Sequence, residues 1–247
     1  MEIHHPHSAP KKEKHFKHYL FEFLMLFLAV SAGFLVENMR EHYVESKREA
    51  TFIKSYVEDL KQDTTNINAN TELRRTKILI MDSLIKQLNS DNPNQYGQSL
   101  YYFGRRVTRS TLFQSNDRTI KQLKNAGGLR LIRNQTASNT IMEYDQLIDY
   151  INYLQINRET LEVTAIYPML AKIFDGRVLE TMINGMEINR PAGNPALRTT
   201  DKNLIQDLTY FLHQYKTSSI VIIARLHSLK VKAIETIQFL QKEYHLD

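Results

Sequence analysis

Hydrophobic residues form one long run near the start of the chain, Tyr19–Val36, with Glu22 as its single charged residue. The strictly apolar part, Phe23–Val36, would span about 21 Å as an α-helix. Extending the helix back to the start of the run gives about 27 Å, close to the roughly 30 Å hydrocarbon core of a bilayer. The run therefore predicts one transmembrane helix at residues 19–36, preceded by a polar leader at residues 1–18.

Glu22 lies one turn inside this predicted span, which leaves three interpretations of its carboxylate. It reaches the headgroup region, where His18 at position i−4 can pair with it. Alternatively it contacts a partner subunit, or it takes part in proton or ion transport. A single helix cannot line a transport pathway by itself, so the interfacial position is favoured and Glu22 is a candidate partner contact.

Basic residues set the expected direction of the span. Four lysines precede it, and three basic residues follow it, namely Arg40, Lys47 and Arg48. The lysines also lie closer to the apolar run, so we expect the leader in the cytoplasm and residues 37–247 in the periplasm, with the anchor in a bacterial inner membrane. The alternative is a cleaved signal peptide, because Ala29–Ala32 has the small residues that a signal peptidase favours.

Beyond the anchor, apolar residues recur in steps of three and four from Ile53 to Leu88, which is typical of a helix with one buried face. No glycine or proline interrupts residues 37–88, so the membrane helix is predicted to continue into one long helix. Two alternatives remain for this helix: the core helix of an antiparallel bundle, or a parallel homo-oligomeric coiled coil. Polar residues on the seam (Thr64, Thr71 and Arg74) favour the first.

Further helices are predicted in residues 98–247, separated by turn-forming residues. They cover Ser99–Thr111, Arg118–Asn125, a segment beginning near Asn134, a helix Glu159–Phe174 kinked at Pro168, and Asp201–Tyr244. Residues 184–200 are predicted to be irregular, as a lid, a partner loop or a plain surface connection. The expected fold class is therefore all-α: a transmembrane helix that continues into a long helix, followed by an exported helical bundle.

Composition excludes several classes of function. The chain has no cysteine, so thiol catalysis, disulfides and thiolate metal sites are absent. The net charge of +5 over 247 residues is too small for a nucleic-acid-binding protein. The leader histidines His4, His5 and His7 are not spaced to close a metal site. We expect no enzyme activity, no cofactor and no resident metal.

Two groups of side chains remain as candidates for other roles. Asp59 and Asp63 lie one helical turn apart and are interpreted as part of a solvated face, because Lys61 lies between them. Four residues of the predicted helix Ser99–Thr111 combine aromatic rings with guanidinium groups, which can stack on a ligand or cover the edge of the core. With Glu22, these four are the candidate partner or interface residues: Tyr101, Tyr102, Arg105 and Arg106.

Several segments carry a family resemblance. They are Glu37-Asn38 and Arg40-Glu41 after the membrane helix, Glu58–Asp63 in the long helix, and the run from Thr119 through Gly127-x-Leu129-x-Leu131-Ile132-x-Asn134 to Tyr144. Together they resemble a family of uncharacterised bacterial single-pass inner-membrane proteins, a domain-of-unknown-function family. The resemblance covers most of residues 15–155. It implies a helix-rich inner-membrane protein, and it implies no activity, cofactor or catalytic residue.

Two function classes remain. The first is a non-catalytic scaffold or accessory subunit of a bacterial envelope complex, whose partners are the membrane, other envelope subunits or a second copy of the chain. The second is a periplasmic small-molecule sensor or binding module that signals through a partner, because the leader is too short for an output domain. Nucleic acid is not an expected partner.

Overall fold

The structure is a computed structural model that describes residues 13–125, 127–185 and 187–246. Contacts divide the chain into two compact units, Met1–Thr51 and Phe52–Asp247. The described residues are almost entirely helical, which confirms the predicted all-α class. The leader histidines His4, His5 and His7 lie outside the described residues.

The first helix, α1 (Glu13–Leu88), is unbroken over 76 residues. This confirms the prediction that the apolar run continues into one long helix. Within the first unit the large apolar side chains of α1 are exposed, for example Phe34 at 74% and Leu26 at 68%. Among the helices described, α1 alone is long and apolar enough to cross a membrane, by length and composition. Such a surface is suited to a bilayer interior rather than to water.

The second unit is a helical bundle to which the rest of α1 belongs. Six further helices follow: α2 (Gly97–Val107), α3 (Arg118–Asn125), α4 (Gln135–Leu161), α5 (Tyr167–Ile173), α6 (Gly176–Thr181) and α7 (Lys202–Glu243). A two-residue strand β1 (Ile183–Asn184) pairs antiparallel with β2 (Glu187–Ile188). Single 3₁₀ turns occupy Pro93–Tyr96 and Gly128–Leu131.

Side-chain caps explain where two of these helices begin. The Asn134 Oδ1 atom accepts a hydrogen bond from the Ala137 N–H at 3.0 Å, and Asp201 Oδ1 accepts one from the Leu204 N–H at 2.8 Å. Each of these bonds satisfies an N–H that the first turn of a helix leaves without a partner. Both starts agree with the sequence prediction. Gly127 adopts a left-handed conformation with φ 63° between α3 and the following turn, which glycine allows because it has no Cβ.

The sequence predicted a separate helix at Glu159–Phe174, kinked at Pro168. The predicted first residue is wrong. Instead α4 runs on to Leu161, one π-helical turn occupies Glu162–Ile166, and α5 follows. Proline lacks an N–H, and its ring clashes with the carbonyl four residues earlier, so the helix widens just before it.

The bundle buries two apolar clusters. The first contains Leu60 of α1, Ile141 of α4 and Leu226 of α7. The second contains Met81 of α1 and Leu208 of α7, together with residues of α2 and α5. The buried face of α1 from Ile53 to Leu88 is therefore covered by helices of the same chain, which confirms the core-helix interpretation for this part of α1.

The stretch predicted to be irregular at residues 184–200 is wrong in its start, because β1 and β2 occupy part of it, and residues 189–200 are tied to the start of α2. The Asn194 Nδ2 atom donates to the Asn94 carbonyl oxygen at 2.8 Å. A Cβ placed on Gly97 would lie 2.0 Å from the Pro195 carbonyl oxygen, so only glycine permits this close approach. These contacts favour a packed connection over a lid.

Candidate functional site

Glu22 pairs with His18, as its spacing predicts. The Glu22 Oε1 atom lies 3.3 Å from His18 Nε2, and the Glu22 side chain is 54% exposed. The pair lies on α1 within the first unit, at the leader end of the apolar run. This geometry is compatible with the headgroup position, while a contact with a partner subunit stays a prediction.

Tyr101 is fully buried in the second unit. Its hydroxyl donates to the Ala196 carbonyl oxygen at 3.1 Å and accepts from the Asp175 N–H at 2.9 Å. Its ring packs edge-on against Phe174, with 5.1 Å between centroids. Burial raises the pKa of Tyr101. The residue therefore holds α2, α6 and the segment before α7 together, and its ring offers no surface to a partner.

Tyr102 and Arg106 form part of a cationic aromatic stack on the outer side of α2. The Arg106 Nη1 atom donates to the Tyr102 hydroxyl at 3.0 Å. The guanidinium of Arg190 lies 4.5 Å from the centre of the Tyr102 ring and 5.9 Å from that of Phe103. Two guanidinium groups thus share one ring through cation–π contacts, each worth about 0.5–1 kcal/mol when exposed.

Arg105 differs from its neighbours because its guanidinium has no partner among the described residues. Its Nε atom is buried without a hydrogen-bond partner, and the side chain forms no ion pair or hydrogen bond with any other described residue. It borders a cleft of about 320 Å³, hereafter the Arg105 cleft. The cleft lies between α2, α5 and α6, and its other walls include Thr108, Tyr167, Leu170, Ala171, Phe174 and Leu179.

A buried polar layer separates the two apolar clusters, and the sequence did not predict it. It contains Asn70, Arg74 and Lys77 of α1, Gln155 and Arg158 of α4, Glu162 of the π-helical turn, and Tyr215 of α7. Because these residues lie inside the bundle, each polar atom needs a partner to offset the loss of water.

Arg74 is held from two sides of this layer. Its Nε atom donates to Asn70 Oδ1 at 2.7 Å, and Nη2 donates to Gln155 Oε1 at 2.6 Å. The same Gln155 oxygen accepts from the Phe113 N–H at 2.7 Å. The Nη1 atom of Arg74 is buried without a partner in the described residues. Burial, with the charge of Arg158 nearby, lowers the pKa of Arg74.

Lys77 and Arg158 meet at Tyr215. The Nζ atom of Lys77 donates to the Arg109 carbonyl oxygen at 2.5 Å and to the Tyr215 hydroxyl at 2.6 Å. The guanidinium of Arg158 lies 4.8 Å from the centre of the Tyr215 ring. Glu162 Oε1, at 3.7 Å, is the carboxylate that faces Lys77. Burial lowers the pKa of Lys77 to about 8, although Glu162 opposes this shift.

Asp59 and Asp63 are buried at 1% exposure each, so their interpretation as a solvated face is wrong. Asp59 accepts from the Asn116 amide and the Arg118 guanidinium at 2.8 Å, and its second oxygen accepts from the Thr119 N–H at 3.0 Å. These bonds fasten the start of α3 to α1. The sequence could not place them, because the partners lie more than fifty residues downstream.

Asp63 makes a similar pair of bonds. Its Oδ1 atom accepts from the Asn116 N–H at 2.6 Å, and Oδ2 accepts from the Tyr144 hydroxyl at 2.8 Å. Burial raises the pKa of Asp63, and the two hydrogen bonds oppose that shift. Donors from the chain thus bind both oxygens of Asp59 and both oxygens of Asp63. These bonds hold α3 and α4 against α1.

The buried polar side chains of the described residues therefore mainly hold the helices together. No group of three or more histidine, aspartate or glutamate side chains there is placed to hold a metal ion. The feature that invites a ligand is the unpartnered Arg105 at its cleft. Comparisons with protein-family models, with curated proteins and with solved structures found no match to the chain.

Proposed function

We propose that this protein is a non-catalytic, membrane-anchored helical scaffold or accessory subunit of a bacterial envelope complex. The leader lies in the cytoplasm, the apolar part of α1 crosses the inner membrane, and the helical bundle lies in the periplasm. The exposed apolar surface of α1 supports the anchor, and the lysines of the leader support the direction.

The observation that carries the scaffold role is an apolar stripe on the outward face of α4. Tyr153 and Ile156 are each 62% exposed, and Val163 in the following turn is 52% exposed. These positions point away from the buried residues Ile151, Gln155 and Arg158. Exposed apolar side chains at one helix face are typical of protein–protein contacts. Envelope subunits or a second copy of the chain are the proposed partners.

Site-specific photo-crosslinking in cells tests this role. A benzophenone amino acid replaces Ile156 on the stripe, and in a matched control it replaces Arg75, an exposed residue on the outer side of α1. The scaffold role predicts a discrete crosslinked product from the Ile156 position and none from the Arg75 position. Purification as a monomer, with no crosslinked product from Ile156, would contradict it.

A second candidate function is the small-molecule binding module. The observation that favours it is the Arg105 cleft, whose volume of about 320 Å³ is at the small end of ligand pockets. A thermal-shift screen of the full chain against metabolites tests it, because a ligand that binds the folded state raises the melting temperature. A screen in which no compound raises the melting temperature would count against it.

A further inference from the structure

The Arg105 cleft has walls of opposite chemical character. Leu170, Ala171, Phe174 and Leu179 give it an apolar side, built from α5, the residue after it and α6. The polar side consists of Arg105, which lies on α2, and Thr108, which directly follows α2. A ligand that fills such a cleft must carry an apolar part and a polar head at one end.

Thr108 and Tyr167 have already committed their hydroxyl hydrogens within the chain. The Thr108 hydroxyl donates to the Arg105 carbonyl oxygen at 2.9 Å. The Tyr167 hydroxyl donates to the Thr108 carbonyl oxygen at 3.1 Å and approaches Glu162 Oε1 at 3.3 Å. The donors left for a ligand are therefore the N–H groups of the Arg105 side chain.

Other arginines near the cleft are paired, which sets Arg105 apart. Arg177 forms an ion pair with Asp175 at 3.0 Å, and Arg198 donates to the Ala171 carbonyl oxygen at 2.7 Å. An unpaired and partly buried guanidinium loses hydration without compensation. An anionic ligand head would compensate for the lost hydration through charge-assisted hydrogen bonds to the guanidinium.

The carboxylates near the cleft favour a ligand head with a single negative charge. Glu162 lies beside Tyr167, which borders the cleft, and its negative charge contributes to the raised pKa of Tyr167, whose main cause is burial. Glu187 borders an adjoining cleft of about 370 Å³ that also includes Arg105. These two carboxylates weaken the positive potential, so a dianionic phosphate would meet repulsion that a carboxylate largely avoids.

We propose that the Arg105 cleft binds a small amphiphile with a single carboxylate head and an unbranched apolar tail of medium length. The head accepts hydrogen bonds from Arg105, and the tail lies against Leu170, Phe174 and Leu179. This inference rests on the binding-module function, for which it names the ligand class. It neither requires nor excludes a protein partner at the α4 stripe.

Photoaffinity labelling of the full chain in lipid nanodiscs tests the proposal. The probe is decanoate with a diazirine in its tail, and the readout is the labelled fraction of the peptide that contains residues 167–179. We expect labelling that excess unmodified decanoate displaces. Arg105→Gln should reduce it about tenfold or more, because hydrogen bonds to a charged group are lost. The matched control Arg75→Gln should leave it unchanged.

A neutral probe separates the charge of Arg105 from the shape of the cleft. The corresponding diazirine decanol should label wild type and Arg105→Gln equally. Equal decanoate labelling of wild type and Arg105→Gln, or labelling spread over the chain without displacement, would overturn the proposal. If Arg105→Gln also loses decanol labelling, Arg105→Lys decides: retained decanoate labelling supports the proposal, and its loss overturns it.

The same experiment distinguishes the ligand class from the function on which it rests. A chain that takes up no decanoate but is stabilised by another metabolite in the thermal-shift screen refutes the carboxylate class and keeps the binding function. A chain that responds to neither refutes both.

Discussion

The Nζ atom of Lys77 lies 2.6 Å from the hydroxyl oxygen of Tyr215, a residue 138 positions later in the chain. Both side chains are buried, and Glu162 of the π-helical turn faces the same ammonium group at 3.7 Å. This contact joins α1, α7 and the turn before α5 in the layer between the two apolar clusters. Because the layer contains more cations than carboxylates, its stability should depend on each remaining pair.

Removal of the Lys77 amino group should destabilise the bundle. In Lys77→Met the Arg109 carbonyl oxygen and the Tyr215 hydroxyl oxygen lose their buried donor, which costs about 1–3 kcal/mol in the free energy of unfolding. Guanidinium unfolding followed by circular dichroism measures this cost. The control Lys61→Met removes an exposed pair with Glu58 and should cost at most about 1 kcal/mol. Equal costs for the two variants would refute the importance of the layer.

The free energy of unfolding should rise between pH 8 and pH 10. The pKa of Lys77 is about 8 in the folded state and near 10.5 in the unfolded chain. Between these values the unfolded state binds more protons, so raising the pH favours the folded state, here by about 2 kcal/mol. Denaturant unfolding at a series of pH values tests this. Lys77→Met should lose that increase, and an identical slope in both proteins would contradict the assignment.

Asp59 should contribute far more to the stability of the folded protein than Glu58, the residue before it. Asp59→Ala removes the acceptor for the first turn of α3 and leaves Asn116 and Arg118 without their partner, which costs about 2 kcal/mol or more. The neighbouring Glu58→Ala affects only an exposed pair and is the matched control. Melting temperatures compare the two. A pair of equal melting temperatures would mean that the buried bonds contribute nothing.

The contact at Gly97 predicts a contrast between two glycines. Gly97→Ala would bring a Cβ within 2.0 Å of the Pro195 carbonyl oxygen, so the segment before α7 must shift and the melting temperature should fall. Gly176→Ala has open space around its Cβ and should leave the melting temperature unchanged or raise it. Equal melting temperatures for the two variants would show that the segment before α7 can move away from Gly97 without loss of stability.

The long helices could be predicted from the sequence because their signals are local. The apolar run, the absence of breakers from residue 37 to Leu88 and the start of a helix near Asn134 each depend on neighbouring residues. Their positions were accordingly correct. The π-helical turn was not predicted, because Pro168 indicates a break without indicating how the chain accommodates it.

The polar layer could not be predicted, since its partners are distant in the sequence. The heptad pattern assigned Thr64, Thr71 and Arg74 to the buried seam. Arg74 is buried, whereas the two threonines are half-buried and Asp63, Asn70 and Lys77 are buried beside them. Their seven-residue spacing was the available signal. It carries no information on what covers them, because Tyr144 lies 81 residues beyond Asp63. The Arg105 cleft could not be predicted either, because the sequence did not distinguish Arg105 from the other candidates, Tyr101, Tyr102 and Arg106.

The proposal that α1 anchors an exported helical bundle can be tested directly, because the chain has no cysteine. Single cysteines replace Ser8 in the leader and the exposed Ser228 of the bundle. A membrane-impermeant maleimide is then applied to intact spheroplasts, and full-length mass is checked to exclude cleavage after Ala32. We expect labelling at position 228 at once and at position 8 only after permeabilisation. Labelling in the reverse order would contradict it.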